Sequence, residues 1–251
     1  MPSRRWADHY SGGAAEYRRF RPSYSPELFE FLAGLVGSHE LAWDCATGNG
    51  QAARGLSDFF RRVVATDASE RQVVQGWVVQ GWVRFVACRA EAVALRTGSV
   101  DFVAIAQALH WFANELFFSE VARVARRGAV IAAWTYAPMS VSEEVDRLMQ
   151  RFRAEVVEPY WPPERVFVDD GYQSLPFPFA KVPAPAFTMR ASWTLDQLLG
   201  YVGTWSAVKN LRAATGVDPV PELAAQLRPA WGPPDTRRAV SWPLRLRAGK
   251  V

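Results

Sequence analysis

The stretch Asp44-Cys45-Ala46-Thr47-Gly48-Asn49-Gly50-Gln51 sets a carboxylate just ahead of two glycines, and a second acid, Asp67, follows roughly 20 residues on. Two ligand classes compete for such a turn. Gly48, Gly50 and Ala53 satisfy a dinucleotide fingerprint, with Asp67 as its ribose-binding acid. A dinucleotide, however, brings its pyrophosphate to the neighbouring helix N-terminus, where the Asp44 carboxylate is a poor neighbour for two phosphate charges. A ligand with an ammonium and a sulfonium reverses the sign. At ~4 Å a carboxylate–ammonium pair is worth several kcal/mol before desolvation, even at an effective dielectric of about 20. The acid-then-glycine order therefore favours S-adenosylmethionine over NAD. The glycines let the backbone approach the ligand without a Cβ, and Asp67, an acceptor-only group with two oxygens, can take both ribose hydroxyls. A turn or capping role for Asp67, and a glycine turn without a ligand, remain the alternatives.

Other residues could add chemistry. His110, beside Trp111 and Phe112 after a strand end, can serve as a general base or as a hydrogen-bonded packing residue. Trp161, Trp193 and Trp205 can wall a pocket, stabilise a sulfonium through cation–π contact, or simply pack. Arg18, Arg19, Arg21 or Lys209 could hold an acidic acceptor, or be solvated surface charge. No metal-ligand set is read.

The elements that must position these residues form a repeating pattern. Short apolar runs at 41–45, 62–67, 83–88, 100–106 and 128–134 alternate with helical stretches, which implies βαβ units and a parallel sheet. Ligands of such sheets bind at the strand C-termini, where the two acids fall. Ser25-Pro26 starts a helix that Gly37 would stop; 51–56 and 115–126 read as further helices. A helix is also expected across 74–83, although Val74-Gln75-Gly76-Trp77-Val78, nearly repeated as Val79-Gln80-Gly81-Trp82-Val83, is a poor helix former. Beyond Trp134 the pattern changes: a long amphipathic helix over 141–157, Pro-rich segments, a strand near 187–190, a capped helix from Trp193, and a closing strand at 240–246. Pro243 argues that this last strand lies at an edge or bulge.

The 251 residues fit one large domain or a domain with a cap, and an apolar half suffices for a full core. No apolar run approaches the ~20 residues that span a bilayer, and the basic N-terminus lacks a following apolar segment, so no signal peptide is read. Two cysteines, Cys45 and Cys88, read as buried reduced thiols. Together these point to a cytoplasmic protein. The net charge of +4 is spread along the chain rather than clustered, which argues against nucleic acid.

On these residues the chain resembles the class I methyltransferases, and within them the trans-aconitate methyltransferase-like group of small-molecule enzymes. Tyr17 to Tyr24, Trp43 to Gln51, Thr66 to Ser69, Ala90-Glu91-Ala92, Gln107-Ala108-Leu109-His110-Trp111-Phe112, Gly203 to Ser206 and Trp242-Pro243-Leu244 carry the likeness. It implies a doubly wound, mostly parallel seven-stranded α/β sheet with a helical cap. It further implies cofactor contacts at Asp44, Ala46, Gly48, Gly50, Asp67, Ala68, Ala90, Glu91 and Gln107, with Tyr17 and Arg21 closing over the cofactor. His110, Trp111, Trp161 and Trp205 would face the acceptor, with His110 the catalytic candidate. Two departures stand out. Ala46 replaces a usual glycine, which is tolerable if its φ is negative. Arg89 replaces an acid that receives the adenine amino group, so backbone or apolar contacts must hold adenine.

The resulting expectation is a lid and first helix (1–40), a cofactor-binding core (41–136), a cap (137–235) and a closing strand (236–251). The function expected is methyl transfer from S-adenosylmethionine to an oxygen of a small molecule, without nucleic acid or membrane, by a monomer or homodimer. An NAD-dependent oxidoreductase and a non-catalytic S-adenosylmethionine-binding regulator are the alternatives.

Overall fold

The computed structural model describes residues 20–76 and 82–251, and the chain divides into two compact units. The first comprises Pro22–Glu143, Pro163–Ser192 and Arg238–Val251. In chain order it contains α1 (Pro26–Gly34), β1 (Ala42–Cys45), α2 (Gln51–Ser57), β2 (Val63–Asp67), α3 (Glu70–Gly76), β3 (Val83–Ala87) and β4 (Val100–Ala106). There follow α4 (Glu115–Val124) and β5 (Ala125–Tyr136). After α5 (Glu143–Arg151), which belongs to the second unit, come α6 (Arg165–Asp169), β6 (Ala180–Val182) and β7 (Thr188–Trp193). Helices α7 (Leu195–Gly203), α8 (Ser206–Thr215) and α9 (Val220–Trp231) are again in the second unit, and β8 (Arg238–Lys250) returns to the sheet.

The strands form one eight-stranded sheet in the order β3-β2-β1-β4-β5-β8-β6, with β7 also paired to β8. The β3-β2-β1-β4-β5 pairs are parallel, and β8 runs antiparallel to β5 and β6. The order reverses at β1, which lies between β2 and β4, and such a switch point opens a crevice at the strand C-termini. The doubly wound, mostly parallel sheet agrees with the sequence reading. The eighth strand, β6, has three residues, too few to leave an alternation in the sequence.

Both faces of the central parallel strands β1, β2, β4 and β5 are covered, which is why they read as continuous apolar runs, whereas β3 at the edge is largely exposed. On one face Trp43, Val103, Ile105 and Ile131 pack with Phe117, Val121 and Val124 of α4. On the other, Phe102 stacks on Phe60 at 5.8 Å and Trp134 meets Tyr24 edge-on at 5.6 Å. A Cβ at Gly55 would lie 2.1 Å from the Phe29 ring, so this glycine is what lets α2 meet α1.

Several boundaries differ from expectation. Helix α1 ends at Gly34 rather than near Gly37. Helix α4 ends at Val124, and Ala125 leads straight into β5. The reason is electrostatic. Buried Asp101 accepts 2.9 Å hydrogen bonds from the Glu40 and Leu41 amides and one of 2.8 Å from Arg126, which also donates to Ser38. Arg126 is thereby drawn into the strand, beside a register shift between Val100 and Phe102. The closing strand β8 lies inside the sheet, not at its edge. Pro243 is tolerated because its carbonyl faces Ala137, just past the last residue of β5, where one ladder donor can be spared. The repeat at 74–83 falls partly outside the described residues; α3 runs to Gly76.

The second unit comprises residues 20–21, Glu144–Pro162 and Trp193–Arg237. The expected long helix over 141–157 is α-helical only to Arg151 and then closes as a π-helical turn, Phe152–Val157. Pro159 accounts for this, since it lacks an N–H and its ring collides with the carbonyl four residues back. Helix α7 begins with a capping box: the Gln197 amide donates to Thr194 Oγ1 at 3.4 Å, and the Thr194 amide donates to Gln197 Oε1 at 3.0 Å.

Candidate functional site

The C-terminal ends of β1, β2 and β4 carry most of the sequence-predicted residues. Asp44, on β1, is fully buried. Its Oδ2 accepts the Thr47 hydroxyl at 2.5 Å, while Oδ1 has no hydrogen-bond partner among the described residues. Burial raises its pKa from 3.8 to about 7; the Thr47 hydroxyl and, less strongly, the Ala53 amide oppose the rise, and Asp67 adds to it. No cation among the described residues offsets the desolvation, so the carboxylate is an acid held ready for a positive partner.

The turn after β1 is wound tightly. Ala46, Gly48 and Gly50 have φ of 55°, 55° and 79°. The condition that made Ala46 tolerable is therefore not met. An alanine in the left-handed region costs on the order of 1 kcal/mol, and neighbouring hydrogen bonds hold it there: Thr47 N to Thr66 O at 2.9 Å and Gly50 N to Thr47 O at 3.0 Å. A Cβ at Gly48 would meet nothing within 4 Å, so it would project into the open cradle of the turn.

Asp67 closes the same turn. Its Oδ2 accepts the Gly48 amide and its Oδ1 the Ser69 amide, each at 2.9 Å. The turn role and a ligand role are compatible, because a carboxylate offers about four acceptor sites. Ala68 follows, exposed. The Cys88 amide donates to Asp67 O at 3.0 Å, which brings the segment with Ala90 and Glu91 beside β2. Arg89 pairs with Glu91 at 3.5 Å. This segment is clamped to α4: the Val93 amide donates to Glu120 at 2.7 Å, and Arg123 donates to Val93 O at 3.0 Å and Leu95 O at 2.9 Å. Cys45 and Cys88 are free thiols whose pKa values burial pushes up, so both stay protonated.

Gln107, the residue after β4, has φ 59°, a strained conformation for a side-chain-bearing residue. Its Oε1 accepts the Thr135 hydroxyl at 3.0 Å, and its buried Nε2 has no partner among the described residues. Next come His110 and Trp111 on a 3-10 turn, rings 4.6 Å apart. His110 Nδ1 lies 3.1 Å from the Tyr172 hydroxyl. Burial first, then the Arg165 charge, lowers the His110 pKa to about 3, so its imidazole is neutral at physiological pH.

The second unit holds the remaining predicted residues. Arg21 lies over the Tyr201 ring at 5.1 Å, and Trp161 and Trp205 are neighbours at 5.7 Å. Tyr17 lies outside the described residues.

Sequence reasoning missed Thr47, Thr135, Tyr172 and the Glu120–Arg123 clamp. Only Tyr172 left a signal, the turn-forming Asp170-Gly171 before it. Gly171 and Tyr172 are both left-handed, with φ 70° and 65°, and the Tyr172 carbonyl is held by Arg247.

Residues fit for S-adenosylmethionine are thus present: a buried carboxylate with an unpartnered oxygen, a glycine cradle and a second acid at the neighbouring strand end. Comparison with known proteins is consistent. A family described as a methyltransferase domain matches residues 43–133. A solved structure of a candidate type II methyltransferase from Anaeromyxobacter dehalogenans is 44% identical, covers 92% of this chain and 98% of its own, and superposes with a TM-score of 0.86. A candidate methyltransferase from Dictyostelium discoideum is 28% identical over 232 residues, 89% of this chain and 86% of its own. A methyltransferase from Aspergillus candidus is 26% identical over 207 residues, 72% of this chain and 64% of its own.

Proposed function

Because the chain belongs to the S-adenosylmethionine-dependent methyltransferases, we propose that it methylates an oxygen, carboxylate or hydroxyl, of a small molecule. The trans-aconitate methyltransferase-like strings in the sequence support this assignment. The observation that carries it is the buried Gln107 amide nitrogen, expected near the methionine moiety or the methyl group of the cofactor, a donor with no partner among the described residues while its own oxygen is occupied by Thr135. A buried donor calls for an acceptor atom, which the carboxylate of the cofactor's amino-acid tail or an oxygen of the methyl acceptor beside it would supply.

When bound, S-adenosylmethionine supplies an electrophilic methyl group on a positively charged sulfur. Asp44 would hold the ammonium of its amino-acid tail, the Gly48–Gly50 turn would cradle it, and Asp67 would accept from the ribose hydroxyls. Ala90 and Glu91 would line the adenine through the backbone, beside Ala46 and Ala68. The resemblance in sequence adds Tyr17 and Arg21 as cofactor residues and Trp111, Trp161 and Trp205 as acceptor residues. At a pKa of about 3, His110 is a poor base. A carboxylate acceptor needs none, since it is already ionised at neutral pH. Catalysis then rests on alignment and exclusion of water. No helix among the described residues is long and apolar enough to cross a membrane, and two free thiols suit a reducing compartment, so we place a monomer or homodimer in the cytoplasm.

The test is a panel of small carboxylates, alcohols, amines and carbon acids, scored by S-adenosylhomocysteine release and product mass. Base-labile methyl esters or stable ethers support the reading. Turnover confined to amines, carbon acids, protein or nucleic acid overturns it.

A further inference from the structure

Tyr172 is fully buried, adopts a left-handed backbone, and places its hydroxyl 3.1 Å from His110 Nδ1. The two rings stack at 5.8 Å with 29° between their planes. Arg247 secures this unfavourable backbone by donating to the carbonyls of Tyr172 and Leu175, and its guanidinium lies 4.6 Å from the Phe177 ring. A bulky residue held at positive φ, its carbonyl taken by an Arg247 that Leu175 and Phe177 hold in place, points to a fixed position for its hydroxyl.

The direction of the hydrogen bond follows from acid–base chemistry. A phenol is a stronger acid than a neutral imidazole N–H, and an imidazole nitrogen is a stronger base than a phenol oxygen. The bond is therefore Tyr172 O–H donating to Nδ1. In a neutral imidazole the proton then resides on Nε2, and the other hydrogen-bonding partner sets which nitrogen carries it.

We propose that Tyr172 is a positioning residue that locks His110 in the Nε2–H tautomer, so that His110 presents a hydrogen-bond donor, not a base, to an oxygen of the acceptor. The oxygen acceptor rests on the function proposed above; the tautomer does not. The neutral state of His110 agrees with it, since an imidazolium Nδ1–H would donate to the tyrosine oxygen and could not accept its hydroxyl. Gln107 Nε2 just after β4, three residues before His110, adds a second donor. Two donors and no base suit a ligand whose nucleophile is already an anion.

Long-range 1H–15N correlation on the full-length protein reads which nitrogen of each imidazole is protonated. The chain has three histidines, and His110→Gln removes the one of interest. The wild-type protein should show His110 protonated on Nε2 alone. Tyr172→Phe, which keeps the ring, should bring in the Nδ1–H form. It should lower kcat about tenfold, one hydrogen bond's worth, while S-adenosylhomocysteine affinity is unchanged. A wild-type proton on Nδ1 overturns the proposal without any variant having to fold. A tautomer, or a kcat, unmoved in Tyr172→Phe overturns it as well. Failure to bind S-adenosylhomocysteine would instead sink the cofactor site, and a nitrogen-methylated product the acceptor class.

Discussion

Replacing Asp44 with Asn should make the protein more stable and less able to bind its cofactor. Asp44 titrates at about 7 in the folded chain, against 3.8 as its ordinary value, because burial penalises its charge. Between those two values the folded state holds the proton and the unfolded state does not, so stability falls as pH rises through the window. At about 1.4 kcal/mol per pKa unit, the wild-type chain forfeits on the order of 4 kcal/mol at pH above about 7. Asparagine keeps an oxygen for the Thr47 hydroxyl and carries no charge. Asp44→Asn should therefore gain up to roughly 4 kcal/mol, a Tm rise of about 10 °C for a chain of this size, near pH 8, and almost nothing near pH 4, where both proteins are uncharged at this position. Cofactor binding should move the other way. A carboxylate–ammonium pair discounted for desolvation at about 2–3 kcal/mol predicts roughly 30- to 150-fold weaker S-adenosylhomocysteine binding. Wild-type affinity should rise about tenfold from pH 6 to pH 8 as the carboxyl ionises, and that slope should vanish in the variant. Differential scanning fluorimetry and titration calorimetry across this pH range provide the assays. A destabilised Asp44→Asn, or a stability gain equal at pH 5 and pH 8, refutes the reasoning.

Three further outcomes follow from the geometry. Ala46→Gly should raise stability by roughly 0.5 kcal/mol, because relief of the left-handed alanine, about 1–2 kcal/mol, exceeds the added chain entropy of about 0.4–1 kcal/mol; a lower midpoint in urea would count against it. Gly48→Ala should weaken S-adenosylhomocysteine binding at least about tenfold, since its φ of 55° disfavours a Cβ that would also intrude on the cradle; unchanged calorimetric affinity would contradict this. Arg123→Gln releases the segment containing Ala90 and Glu91 from α4, so KM for S-adenosylmethionine should rise several-fold with kcat nearly constant. An equal fall in kcat would show that the clamp does more than hold the adenine segment.

Most of the sheet was legible because central parallel strands covered on both faces leave apolar runs that need no partner to recognise, and the runs of β1, β2 and β4 lead into residues of the candidate site. The candidate turn was legible for a similar reason: Asp44, Gly48, Gly50 and Asp67 are local in sequence or fixed by strand length. What the sequence did not disclose depends on distant pairing. Arg126 entered β5 instead of closing α4 because Asp101 and Ser38 take its guanidinium. Pro243 tolerates an interior strand only because β5 stops one residue short of it. The sign of φ at Ala46 is set by backbone hydrogen bonds to β2, which no property of alanine announces. Tyr172 is 62 residues from His110, and only the folded chain shows that the Asp-Gly turn before it lands on the 3-10 turn after β4.

In the proposed site a buried carboxylate would recognise the ammonium of an amino-acid tail. The direct measurement is a calorimetric cycle with S-adenosylhomocysteine and its deaminated analogue, each titrated into the wild-type protein and Asp44→Asn near pH 8. Removing the ammonium should cost the wild-type protein roughly 30-fold or more in affinity and the variant almost nothing. Equal losses from both proteins would mean that Asp44 does not meet the ammonium, and the site would have to be built differently.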